Sequence, residues 1–294
     1  MPLIAVPNIS TGSDEETIRA LAGVVETSGA AVLDIHSDAV HDRSVFTVSA
    51  APEVLIEAMV ALARQARRLN LTTQRGVHPR LGVLDVCPFV PHGDATMESA
   101  ISAAQSAGAL IAERAGLPVY LYGEAAARPE TRVLPLIRRG GLGGLLARAS
   151  RGLAPDFGGP RIDERLGIVC VGARGVLIAF NVWLRCELET ARAIAARVRE
   201  SGGGLEGVRA LGLLIEPPDV CQVSMNLTEP QITGIQAAFE VVEAEAAART
   251  ASVLATEIVG LPPQRFWPLP DARATRLLRK PGRTLEAALD EAGL

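Results

Sequence analysis

Four histidines, His36, His41, His78 and His92, all lie in the first third of the chain. Histidine is the side chain whose ordinary pKa lies nearest neutrality, so a group of them in one region points to proton transfer. His78 sits in the segment RGVHPRLG, between Gly76 and Gly82. The proline behind it biases its own backbone towards an extended conformation, which restricts where the imidazole points. Arg80 follows two residues on, and alternate side chains of an extended segment project to one side. A base beside a guanidinium fork suits an amine substrate that also carries carboxylates. Upstream, Asp34, Asp38, Asp42 and Arg43 crowd around His36 and His41. Two readings of that cluster stand: the aspartates are ordinary turn formers, or they orient and stabilise a catalytic imidazole.

Other chemistries fit less well. His36, His41, Cys87 and His92 show no metal-ligand spacing, so no metal is expected. Cys87 falls in an apolar strand-like run, where thiols are ordinarily inert. The glycines of RRGGLGG (138–144) follow no strand and open no GxGxxG unit, so they read as flexibility rather than as a dinucleotide site. APDFGGP (154–160) joins a carboxylate, an aromatic ring and mobile glycines, which suits closure over a planar heterocycle and equally suits an ordinary surface loop.

The elements that must position these residues can be read from periodicity. The first half predicts a strand at 2–7, a helix at 13–28 capped by Ser13 with Glu16 three residues on, strands at 30–36 and 44–50, a helix at 52–69 opened by Pro52, and a strand at 82–90. A helix at 96–115 and a short strand at 118–122 follow, and then a region rich in Pro, Arg and Gly that reads as a long ordered loop or a lid, not a core element. The second half repeats the order: strand 176–184, helix 187–200, strands 208–215 and 219–227, helix 230–249, strand 251–259. Two βαββαβ units predict an α+β fold of two ferredoxin-like halves, 1–175 and 176–294, with sheets facing each other and a small-molecule cleft between them. Residues 262–294 read as a peripheral, weakly helical tail.

Composition sets the limits. At 294 residues, 48% hydrophobic and 21% charged, the chain is of globular type and long enough to bury a core without metal or disulfide. Its net charge of −4 and scattered basic residues argue against nucleic acid, and no apolar run is long enough to cross a membrane. Four widely spaced cysteines without a CxxC pair, and no leader-like opening, predict free thiols in the cytoplasm. The apolar excess, a mean hydropathy of +0.24, suits a homodimer.

VPNISTG, HDRSVFT, GVHPRLGVLDVCPFVP, PVYLYGEAA, LAPDFGGP, GARGVLIAFN and CQVSMNLT occur in this order over residues 3 to about 260. The ordered set resembles the formiminotransferase family: glutamate formimidoyltransferase and the formiminotransferase part of formiminotransferase-cyclodeaminase. The resemblance implies two ferredoxin-like subdomains around a folate tunnel. It implies transfer of a formimidoyl group between N-formimidoyl-L-glutamate and tetrahydrofolate, in histidine degradation, with folate as co-substrate and no metal. A chain ending at 294 lacks, by the same resemblance, the cyclodeaminase domain. The family's HPR histidine falls on His78 as the base. Arg80 and Arg43 are then expected at substrate carboxylates, Asp34 or Asp38 beside a cationic imidazole or ammonium, and Pro155, Asp156, Phe157, Gly158 and Gly159 at the folate. Val77, Thr73-Gln74 and Asp42 depart from the family's acidic, basic and Asn residues at those places. A transferase with another amine acceptor and a folate-binding paralogue without turnover are the alternatives.

Overall fold

A proline breaks the first strand into Leu3–Ala5 (β1) and Asn8–Ile9 (β2), which together occupy one position in a sheet. The computed structural model describes residues 2–294 and has a mixed α/β architecture with two sheets. The chain divides into two compact units, Met1–Arg174 and Gly175–Leu294.

In the first unit α1 (Glu15–Thr27), β3 (Ala31–Asp38), β4 (Arg43–Ala50), α2 (Pro52–Ala66), β5 (Leu84–Pro91) and α3 (Met97–Ala115) follow β1 and β2. The cap of α1 is Asp14, not Ser13: its carboxylate accepts the Thr17 N–H at 3.0 Å. Pro52 opens α2, where a missing N–H costs nothing. The broken first strand lies antiparallel between β4 and β5, and β3 borders β4. Beyond β5 the sheet continues in parallel through β7 (Val169–Ala173) to β6 (Val119–Gly123).

β7 was not expected, and it changes the reading of the segment before it. β5, β7 and β6 are covered on both faces: Val119, Leu121, Val169 and Val171 pack with α1, α2 and α3, whereas Tyr120, Tyr122, Val86 and Cys170 pack with Ile137 and Leu145. Those last two belong to α4 (Leu134–Arg138) and α5 (Gly141–Ala149). The 138–144 segment is thus largely helical, and it covers the second face of a parallel strand pair that cannot face water.

The second unit is β8 (Ile178–Arg185), α6 (Leu188–Val198), β9 (Val208–Glu216), β10 (Val220–Leu227), α7 (Ile235–Ala247) and β11 (Ser252–Val259). Its sheet has the order β11-β8-β10-β9, antiparallel throughout. The last residues are more than a loose tail. Thr256 of β11 bonds through backbone and hydroxyl to Ala274, Leu277 and Arg279, around α8 (Arg273–Arg276), and α9 (Leu285–Glu291) buries Leu285, Ala288 and Leu289.

Candidate active site

His78 lies in the loop entering β5, and that loop is stitched to the β3–β4 turn. The Val77 N–H donates to the Val40 carbonyl at 3.1 Å. Arg80 donates to the carbonyls of Asp42 and His41, both at 3.3 Å, and to Gln74 Oε1 at 2.8 Å. Contact this close needs Gly76, where a Cβ would stand 2.0 Å from the His41 oxygen. On the other side of the turn, the Gly12 N–H donates to Asp42 Oδ1 at 3.0 Å. Asp42 itself has a φ of 46°, a left-handed conformation that Asp and Asn tolerate better than other side chains.

Arg43, the first residue of β4, is held on three sides. Its Nε and Nη2 donate to Asn8 Oδ1 at 2.9 and 2.6 Å, and its Nη1 lies 3.0 Å from Asp85 Oδ2 and 3.0 Å from His78 Nδ1. Asp85, on β5, is 1% exposed. It also accepts the Leu81 N–H at 2.8 Å and is ion-paired with Arg138 at the end of α4. A carboxylate that deep needs charge partners and hydrogen bonds, and it has both. Burial lowers the Arg43 pKa to about 10 against the opposing charge of Asp85. Burial foremost, then the Arg43 and Arg138 guanidiniums, push the His78 imidazole well below its ordinary value. His78 is therefore neutral at physiological pH. Its Nδ1 also lies 2.9 Å from the Pro79 carbonyl oxygen, and the buried His41 ring is 5.9 Å away, centroid to centroid.

The structure brings His78, Arg80, Arg43, Asp42 and His41 together. Asp38 adjoins them but spends its carboxylate on the backbone N–H of His41 at 2.7 Å, as a turn former does. Asp34 lies on β3 opposite Thr47 and His36 opposite Val45, while His92 follows the end of β5. The donors of Arg80 and Arg43 go largely to the chain itself, so both guanidiniums shape the site before any ligand arrives. Asn8, Asp85 and Arg138 were missed. Asp85 carried the readable sign, a lone charge inside the apolar run of a strand.

Pro155 to Gly159 run along the edge of β6. Asp156 accepts the Leu121 N–H at 2.7 Å and pairs with Arg128 at 3.0 Å, and the Val119 N–H donates to the Phe157 carbonyl at 2.9 Å. Phe157 packs against the core beside α3. Gly158 and Gly159 are exposed, with φ of 92° and 72°. The loop is thus latched rather than loose. Cys87 is buried, which pushes its thiol up to about 12. Among the described residues no three His, Cys, Asp or Glu side chains group so as to hold a metal ion, and no helix is long and apolar enough to cross a membrane.

Two family models match the chain: the N-terminal subdomain of the formiminotransferase domain over residues 3–174, and the formiminotransferase domain over residues 179–268. Formimidoyltransferase-cyclodeaminase of Gallus gallus is 38% identical over 269 residues, 88% of this chain and 50% of that one. Glutamate formimidoyltransferase of Streptococcus pyogenes serotype M1 is 34% identical over 264 residues, 88% of each chain. The enzyme of the same name from Thermoplasma acidophilum is 35% identical over 266 residues, again 88% of each. The chain spans about half the length of its animal relatives. With both models matched in order, the chain belongs to the formiminotransferase family.

Proposed function

We propose that the chain is a glutamate formimidoyltransferase, moving a formimidoyl group between N-formimidoyl-L-glutamate and tetrahydrofolate in histidine degradation. The attacking amine must be neutral although amino groups are mostly protonated at pH 7, so the site needs a proton acceptor in its neutral form. The observation that carries the reading is His78, an imidazole held neutral among guanidiniums in a chain of this family. His78 takes the proton of the attacking amine and returns it to the departing nitrogen. Arg43, Arg80 and Arg138 make the surroundings cationic, which suits a substrate with carboxylates. Asp34 and Asp38 remain candidates for stabilising a cationic group, although Asp38 is engaged in the turn. Folate contact is assigned to Pro155, Asp156, Phe157, Gly158 and Gly159, where the exposed glycine backbone admits close approach.

The same proposal extends to the fold and setting. In each unit the strand order puts the fourth βαββαβ strand beside the first, then the third and second, which supports a ferredoxin-like half. Four unpaired cysteines support the cytoplasm, and the apolar composition supports a homodimer, which mass in solution tests.

The decisive experiment mixes N-formimidoyl-L-glutamate with tetrahydrofolate and follows 5-formimidoyltetrahydrofolate. Wild-type protein is expected to turn over, and His78→Ala to lose about 10²-fold or more in kcat. A wild type that binds tetrahydrofolate and transfers nothing would sink the reading.

A further inference from the structure

His78 Nδ1 has two neighbours that make opposite demands. The Arg43 guanidinium is a donor without acceptor capacity, so its contact at 3.0 Å is a hydrogen bond only when Nδ1 bears no hydrogen. The Pro79 carbonyl only accepts, so its contact at 2.9 Å is a hydrogen bond only when Nδ1 bears one. One nitrogen satisfies one neighbour at a time. The geometry points to Arg43 as the residue that sets the tautomer of His78: the resting imidazole accepts from Arg43 at Nδ1 and carries its proton on Nε2, and it becomes a base at Nε2 only after Nδ1–H turns to Pro79.

The anchoring of Arg43 decides the contest. Its Nη1 is shared between His78 and Asp85, while Nε and Nη2 are fixed on Asn8, so four of its five N–H groups are committed and the fork cannot swing away freely. Asp85 is in turn fixed by the Leu81 N–H and Arg138. The charged and titratable groups around the ring include Arg43 on β4, Asp85 on β5, Arg138 on α4, His41 and Asp42 in the β3–β4 turn, and Arg80 in the ring's own loop, which pairs with Asp42. With Arg43 pinned, the Nε2–H form keeps a charge-assisted bond that the other neutral form gives up.

The proton steps balance. Exchange between the neutral forms releases the Nε2 proton to water and takes one from water at Nδ1. The Nε2 lone pair then accepts the proton that the attacking nitrogen loses, giving an imidazolium with Nδ1–H on Pro79, and the same Nε2 proton passes to the departing nitrogen. The catalytic consequence rests on the proposed role of His78 as base. The tautomer does not, because it is a property of the substrate-free protein. Arg43 is thus a positioning residue.

Nitrogen-15 labelling of histidine in the full chain tests this, since long-range proton–nitrogen correlation separates bare from protonated ring nitrogens. His78 is assigned by the signals lost in His78→Gln. At pH 7.5 the wild type is expected to show bare Nδ1 and protonated Nε2, and Arg43→Met the reverse. Wild type with protonated Nδ1 overturns the inference even if no variant folds, and so does Arg43→Met with the wild-type pattern. Asp85→Asn, a gentler change, is expected to move the pattern part of the way towards Arg43→Met. The acid limb of the pH–rate profile should also move to higher pH in Arg43→Met, because a neighbouring cation is gone. Absent formimidoyl transfer with the expected tautomer would defeat the function proposed above and leave this inference standing.

Discussion

At the scale of single residues, the site turns on a carboxylate that no catalytic motif advertises. Asp85 holds Arg43 and Arg138 together from a position 1% exposed. Removing the anion leaves guanidiniums partly buried and unpaired, so Asp85→Ala is expected to cost about 3–5 kcal/mol in urea denaturation, and an unchanged midpoint would refute that role. His78 has the opposite bearing on stability. Its folded pKa lies below the unfolded value of 6.5, so the unfolded chain binds the proton more readily between those two values. Stability is then full above about pH 6.5 and falls as acid brings the pH down towards the folded pKa. His78→Gln should flatten that part of the stability–pH curve; two parallel curves would show that His78 carries none of the slope. The constrained loop around His78 was legible in the sequence, because Pro79 and Gly76 mark it. Asp85 was not, because one charge in an apolar strand says that a partner exists without saying which of 28 arginines it is.

Elements read well where a helix or strand shows one buried face, and poorly where both faces are covered. The two βαββαβ orders followed from amphipathic periods, and the strands and helices fall within a few residues of the expected ranges. β7 escaped because IVCVGA is a short, continuously apolar run with no alternation to identify it. α5 escaped because Gly141, Gly143 and Gly144 are poor helix formers, and the helix forms because Leu145 reaches the Tyr120–Cys170 face of the sheet. α4 matters for the site, since it delivers Arg138 to Asp85. The APDFGGP loop shows the same override: its glycines suggest motion, whereas Asp156 latches it to β6 and Arg128. Asp156→Ala should therefore destabilise by about 2 kcal/mol and speed proteolysis within 154–160, as loss of bonds to a charged group does. Cleavage at the wild-type rate would mean that the loop is held by Phe157 alone.

On the scale of the whole molecule, the choice of cation is itself an argument about binding. Of 29 basic residues only Lys280 is a lysine, and it is exposed. Every cation of the His78 cluster is a guanidinium, which is planar, donates through a fixed fork and keeps its charge where an ammonium would begin to titrate. Burial lowers the Arg43 pKa to about 10, which still lies above the range in which an amine substrate is normally assayed. Two consequences can be measured together. Acylation by an amine-directed reagent should leave turnover and KM for N-formimidoyl-L-glutamate unchanged, whereas an arginine-directed dicarbonyl should abolish turnover, with the substrate protecting. The KM should also stay flat from pH 7 to 8, well below the lowered pKa of Arg43, about 10. Inactivation by the amine reagent, or a KM that climbs through that range, would place an ammonium in the binding step and contradict a site built on arginine.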